Sequence, residues 1–305
     1  GHLKESRGHL LGGRKQIFGL IGEQWTVWSG EEMCRTLSVS RSGYYSWRRR
    51  PESRRAMDDR YLDAHIKAIY RKYKGRYGSP KITDELNDMG FKVSKNRVAR
   101  TMKHAGLRSI VRRKYRPTTD SKHSHPVAEN LVQRDFTASG PDKVWVSDIT
   151  YIATERGWLY LTVFLDLFSR MVVGWALSSS LSAQMVLTAL YRGIRTRRPG
   201  AGLIIHSDRG VQYACKDFRQ VLEKHRFVQS MSRKGDCWDN AVAESFFGIL
   251  KSELVHHERF KGPRDTLKAL FEYIEVFYNR KRKHSTLGYK TPVQYEQVMK
   301  SAVCF

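Results

Sequence analysis

Apolar positions in the first third of the chain recur at helical spacing. Leu62, Ile66, Ile69 and Tyr73 follow one another at steps of 4, 3 and 4, the buried stripe of an amphipathic helix. Pro80 then sits at a helix start, Ile82, Leu86 and Met89 continue the stripe, and Gly90 closes it as the residue past the C-cap. Ser94 is placed to cap a further helix that buries Val98 and Met102 and ends at Gly106. Upstream, Ser29-Gly-Glu-Glu32 reads as a capping box, with Met33 and Leu37 four apart behind it. A short break at Ser38-Val-Ser40 leads into Arg41 to Arg50, which has an aromatic face and basic flanks. Two short helices around a tight turn is the helix-turn-helix layout, and an ordinary solvated helical hairpin shares that pattern.

From Lys143 the period changes from helical to alternating. Lys143 to Ile152 alternates apolar with polar, Gly157 marks a turn, and Trp158–Phe168 and Met171–Leu177 read as two more strands around Ser169-Arg170. A helix from about Ser182 to Arg197, the apolar strand Leu203–His206, a helix from about Lys216 to His225, a short strand Phe227–Met231 and a long helix from near Asp239 complete the run. Three antiparallel strands followed by strands alternating with helices predict an α/β, ribonuclease H-like core: a mixed five-stranded sheet with helices, preceded by an all-helical region. Four regions are expected: a helix-turn-helix-like region over 1–54, a second helix-turn-helix over 55–107, a basic linker over 108–134 where no period survives, and the core with C-terminal helices over 135–298.

Charge adds a partner to this outline. The 305 residues carry a formal charge of +25, and residues 1–125 hold 29 Lys and Arg against 12 Asp and Glu, so the excess is front-loaded. A chain this far from neutrality repels itself unless a polyanion compensates it, which points to nucleic acid gripped mainly by the helical region. Cys34, Cys215, Cys237 and Cys304 form no C-x-x-C pair, which argues against a disulfide scaffold or a cysteine-based zinc module and fits a reducing cytoplasm. His123 and His125 lack matching cysteines or acids and read as solvated linker residues. The apolar stretch Trp158–Leu177 is interrupted by Asp166 and Arg170, so no membrane span is expected, and the first residues lack the charged and apolar regions of a signal peptide.

The chemistry comes from where the acids fall. Asp148 lies on the first strand, Asp208 just past the fourth, and Glu244 one to two turns into the long helix, with 35 residues between it and Asp208. Carboxylates on those three elements can converge on one cleft, and hard oxygen ligands suit Mg²⁺, or Mn²⁺, with two ions flanking a phosphoryl displacement. Taken one at a time, a strand-end acid, a turn-forming Asp before Gly and a first-turn helix Glu are the commoner roles; the joint spacing favours the site. Asp166 is a fourth, secondary acid. Lys251 stands two turns after Glu244 on the same helix face, suited to a phosphate, and Asn240 shares that face, where it either orients a ligand or starts the helix. The further candidate DNA contacts are Arg41 and Tyr44 in the first pair, Lys95, Asn96, Arg97 and Arg100 in the second, Arg112 and Arg113 in the linker, and Arg282 in the basic run Arg280–Lys283.

Several runs together resemble a known family. Trp145-Val-Ser-Asp-Ile-Thr-Tyr-Ile152, His206-Ser-Asp-Arg-Gly210, Ser230-Met-Ser-Arg-Lys-Gly235 and Asp239-Asn-Ala-Val-Ala-Glu-Ser-Phe-Phe247 resemble the DDE transposases of insertion sequence family three, OrfB type. Leu37–Trp47, Tyr77–Ile82 with Val98–Met102, and Phe277–Pro292 are similar to that family's N-terminal, second helical and C-terminal motifs, so the resemblance spans roughly residues 30–296. Val211 departs from it, standing where a Ser is expected. The resemblance implies an integrase-type core in which Asp148, Asp208 and Glu244 bind divalent metals and Lys251 is the basic residue after the Glu. It implies cleavage and joining of element ends by attack of a 3′-hydroxyl, oligomers on DNA, and an OrfA partner or fusion. Residues 1–25 show no sustained heptad, so OrfA's oligomerising segment is not expected among them. A nucleoid-associated prokaryotic protein is the implied setting. An inactive DNA-binding regulator and a nuclease that only hydrolyses remain the rival readings.

Overall fold

The computed structural model describes residues 13–24, 28–51, 53–110, 127–233 and 237–303. These fall into two compact units, divided between His65 and Ile66.

The first unit holds helices α1 (Gly13–Glu23), α2 (Gly30–Thr36) and α3 (Arg41–Arg49). The capping box forms as expected at its N-cap half, with the Glu32 amide donating to Ser29 Oγ at 3.5 Å; Ser40 Oγ likewise accepts from Gly43 at the start of α3. Helix α1 has no counterpart in the sequence reading. Its three glycines lower its intrinsic helicity, and it forms because Ile17, Phe18 and Ile21 pack with Cys34 and Tyr44 into one small core.

The division falls within α4 (Arg54–Lys72), whose stripe Leu62, Ile66, Ile69 and Tyr73 is buried as its spacing requires. In the second unit α5 (Ser79–Asp88) and α6 (Lys95–His104) form the second helical pair. Ser94 Oγ caps α6 through the Arg97 amide, Val98 and Met102 face inward, and Gly90 and Gly106 leave their helices with positive φ. Met89, expected in the stripe, is half exposed because α5 has already ended at Asp88.

The core sheet has five strands in the order β3-β2-β1-β4-β5: β1 (Val144–Thr154), β2 (Gly157–Asp166), β3 (Val172–Ser178), β4 (Ile204–Ser207) and β5 (Val228–Met231). The first three pair antiparallel and β4 and β5 add in parallel, the mixed sheet that the pattern predicts. Helices α7 (Ala183–Arg197) and α8 (Lys216–His225) bury Trp145, Phe164, Leu190, Ile205 and Phe218 against it. The C-terminal part runs through α9 (Ala241–Glu253), α10 (Pro263–Phe271), a π-helical turn over Glu272–Tyr278 and α11 (Pro292–Val303).

Three details fix this layout. Residues 127–134, read from sequence as the end of a linker, pack on the core: Val132 is buried, and the Leu131 amide donates to Ser230 Oγ. At the edge strand, the Asn279 side chain imitates a neighbouring backbone, accepting from the Val172 amide and donating to its carbonyl. Asp166 is buried at the β2–β3 turn, where its carboxylate accepts from the amides of Asp142, Phe168 and Ser169; the fourth acid therefore builds a turn.

Helix α7 lies so close to β3 that a Cβ on Gly174 would stand 2.3 Å from the Ala189 carbonyl oxygen. Gly174→Ala should therefore destabilise the chain by about 1–3 kcal/mol. Gly200→Ala, which points into open space, should leave the urea midpoint nearly unchanged and serves as the control.

Candidate active site

Strand register brings the first two acids together. In the parallel pairing Val146 stands opposite His206, so two residues further along both strands Asp148 comes beside Asp208. Adjacent strands lie about 4.8 Å apart, so the carboxylates occupy neighbouring positions on one face. Asp208 is steadied by the Gly210 amide, which donates to its Oδ1 at 3.0 Å, and Asp148 Oδ1 accepts from its neighbour Ile149 at 2.7 Å.

Helix α9 brings the third. Asn240, immediately before it, is buried and its Nδ2 donates to the Ser147 carbonyl at 3.1 Å, pinning the start of α9 to β1 next to Asp148. Glu244 follows one turn on. Burial and the adjoining Asp208 carboxylate, with a smaller push from Glu244, hold the Asp148 carboxyl well above the usual carboxylate range, while Lys251 pulls the other way. The ammonium of Lys251 lies 4.8 Å from the centre of the Tyr151 ring on β1. One lysine and three acids thus share one electrostatic neighbourhood.

The wall behind the acids is a polar network that the sequence did not single out. Asp239 is wholly buried; its carboxylate accepts from Arg233 through the backbone and the guanidinium, from Arg134 Nε and from Asn130 Nδ2, all at 2.9–3.1 Å. These contacts fasten residues 130–134 and the loop before α9 to each other. His206, two residues before Asp208, is buried between Ser230 Oγ and the Asp239 carbonyl, and burial lowers its basicity so that the ring is neutral. Only helix-start position and a charge in a turn mark Asp239 in the sequence; its arginine partners lie at unrelated spacings.

The candidate DNA contacts separate into three groups. Lys95, Asn96 and Arg100 are exposed on α6, with Arg97 half-buried beside them, and Arg41 is exposed but ion-paired with Glu31 at 2.9 Å. Arg112 and Arg113 lie outside the described residues, as do His123 and His125. Two residues turn inward. Tyr44 is fully buried in the first unit's core, since its ring packs edge-on against Phe18; it is a core residue and not a surface contact. Arg282 is buried in a two-pronged ion pair with Glu253 at the end of α9, and Lys283 beside it is buried against Asp84, Glu85 and Asp88 of α5. Of the run expected to touch DNA, only Arg280 and Lys281 face solvent.

The arrangement defines a class: an integrase-type α/β core with clustered acids, joined to helix-turn-helix elements. Family profiles agree, an integrase core domain matching residues 138–237, a second integrase core profile matching 244–299 and an HTH-like domain matching 57–115. The chain is 42% identical over 284 residues to the transposase InsF of insertion sequence IS3A from Escherichia coli K12, covering 92% of this chain and 98% of that one. It is also 42% identical over 265 residues to an uncharacterised 31 kDa protein of insertion element IS600 from Shigella sonnei, covering 87% and 97%. Among solved structures, the catalytic core domain of HTLV-2 integrase in complex with magnesium aligns with a TM-score of 0.40 and 20% identity, over 52% of this chain and 98% of that one. The chain belongs to the IS3 family of transposases. Among the described residues no helix is long and apolar enough to cross a membrane.

Asp239 offers a test of the wall. Its arginine partners hold its carboxyl far below the usual range, so the folded value lies under the unfolded one of about 3.9. The stabilisation is then complete above the unfolded value and is lost as pH falls through the folded one. Asp239→Asn should cost about 3 kcal/mol at pH 7. The gap to the parent chain, followed by urea unfolding, should narrow as the pH is lowered toward 2.

Proposed function

We propose that the chain is a metal-dependent DNA strand transferase that cuts and rejoins strands at the ends of its insertion element. The observation that carries this reading is the convergence of Asp148, Asp208 and Glu244 on one neighbourhood, with Asp148 driven toward its neutral form first by burial and then by the other two carboxylates. Such a cluster is unfavourable until a cation of higher charge joins it. The donor set is all carboxylate oxygen, which suits Mg²⁺ or Mn²⁺ and not a soft metal. Among the described residues no three His, Cys, Asp or Glu side chains stand together as a ready metal site, so the acids would have to draw in around an ion, with water and phosphate oxygens completing its shell.

Asp148, Asp208 and Glu244 would hold the metal, two ions in the fullest form, and the metal would supply an activated attacking oxygen and charge stabilisation at the leaving one. The protein's own part is positioning. Register sets Asp148 against Asp208, and Asn240 holds α9 so that Glu244 faces both. Lys251, steadied over Tyr151, binds a phosphate of the strand and keeps it in line. In the joining step a 3′-hydroxyl attacks phosphorus: one P–O bond forms as another breaks, and the displaced 3′-oxygen takes up a proton. The count of phosphodiester bonds is unchanged, so no external energy source is required. The exposed residues of α6 supply grip, the protein acts as an oligomer on DNA at the nucleoid in the cytoplasm, and an OrfA product is its partner.

A labelled element end incubated with target DNA and Mg²⁺, with and without OrfA, should yield joined product. Glu244→Gln should lower both cleavage and joining at least about 100-fold, while retention of the DNA in a filter or gel stays intact. Cleavage without joining would identify a hydrolysing nuclease, and unchanged cleavage in the variant would refute the assignment of the acids.

A further inference from the structure

A cavity of about 300 Å³ opens on one flank of α9, lined in part by Lys81, Arg170, Ser245, Tyr278, Arg282 and His284. Four sequence regions meet there: α5, the β2–β3 turn, α9 and the segment after the π-helical turn. Ser245 directly follows Glu244, about 100° round the helix, so the cavity and the candidate active site lie on different flanks of the same helix.

The cavity is over-supplied with positive charge. The carboxylates its cations feel are already engaged, Glu253 by both prongs of Arg282 and the Tyr273 hydroxyl, and Asp166 by backbone amides. Among the described residues neither Lys81 nor Arg170 makes an ion pair. The Lys81 ammonium has only the Tyr77 ring, 4.9 Å away. Arg170 gives Nη2 to the Phe136 carbonyl at 3.1 Å and leaves Nη1 buried with no hydrogen-bond partner. Burial and the nearby Arg282 push Lys81 down to about 7, and burial with Arg282, Lys81 and Arg170 holds His284 neutral. Desolvated cations without acceptors are costly, and an oxyanion supplies several acceptors at once.

Backbone geometry points the same way. Arg170 has φ of 59°, a left-handed conformation unusual for a residue with a side chain, and it is imposed by the turn that Asp166 organises. A strained turn that delivers an unpaired guanidinium into a cavity is the kind of strain that ligand sites retain. The volume far exceeds the roughly 30 Å³ share of one water, so a lone phosphate would leave it part-filled, and the apolar side of Phe246, Ile249 and Tyr278 matches a sugar or base.

We propose that this cavity seats one backbone phosphate, with its attached nucleoside, of the DNA strand that passes the acidic site. The proposal rests on the reading of the chain as an enzyme of DNA strands and adds a second anchor to Lys251, on the opposite flank of α9.

The test reads binding by fluorescence anisotropy in the absence of metal, so failure of strand transfer and failure of this seat are separate results. A duplex bearing the element end is scanned with single neutral methylphosphonates against the unaltered chain. One position, or two adjacent ones, should lose about tenfold in affinity. Lys81→Gln and Arg170→Gly, the latter keeping the left-handed turn, should each lose about tenfold on all-phosphate DNA and become insensitive to the methylphosphonate at that position. Each contact removed should lower the slope of log affinity against log salt by about 0.9. A flat scan, or folded variants with unchanged affinity and slope, would overturn the proposal. It would equally fall if millimolar inorganic phosphate raised the melting temperature of the parent but not of the variants while DNA binding stayed unaltered, since the cavity would then serve a free anion.

Discussion

The buried ion pair between Arg282 and Glu253 is the interaction on which the placement of α9 depends. Glu253 ends that helix, 98% buried, and receives both prongs of Arg282 together with the Tyr273 hydroxyl, while its backbone carbonyl accepts from Arg76. The opposite end is pinned by Asn240 to the Ser147 carbonyl. A buried pair of this kind gains little net stability, because taking both charges out of water offsets most of their attraction. What it supplies is direction: alternatives that leave either charge unpaired are strongly disfavoured, so the helix has one position. Glu244 and Lys251 lie between the two clamps and inherit that position.

The second constraint is electrostatic. Three carboxylates are gathered in a protein whose overall charge is +25, and they are held by strand register and helix anchoring instead of by attraction to one another. Nearby acids with structural duties are treated differently. Asp239 is fully neutralised by two arginines and Asn130, and Asp166 by backbone amides. The contrast is between acids balanced by arginines or backbone amides and a cluster in which the Asp208 carboxylate presses on Asp148.

Much of this was legible in the sequence because it rests on local rules. Ser29, Ser40 and Ser94 announce helix starts through their own hydroxyls, and the stripe from Leu62 to Tyr73 is a matter of period. The neighbourhood of Asp148 and Asp208 followed from the order of strands. What escaped depends on partners far away in sequence. Tyr44 and Arg282 have the composition of surface contacts, and only tertiary packing turns them inward. Helix α1 is interrupted by three glycines and is held by the packing of Phe18 and Tyr44. Asp239 looks like an ordinary helix-start acid and Asp166 like a fourth candidate acid on its strand until their arginines and amides are located, and the period of residues 127–134 is too short to reveal that they lie against the core.

Lys283 carries a consequence in time. Its ammonium settles among Asp84, Glu85 and Asp88, and its backbone amide donates to the Tyr77 hydroxyl, contacts that bridge about two hundred residues. On a ribosome the second helical pair emerges long before the residue that neutralises its acids, and the five strands are made in the interval. That pair must wait, loosely formed, until the final tenth of the chain arrives to lock it. A nascent chain stopped short of Lys283 would leave that helical pair on an unfinished base, its acids still lacking the ammonium that binds them together.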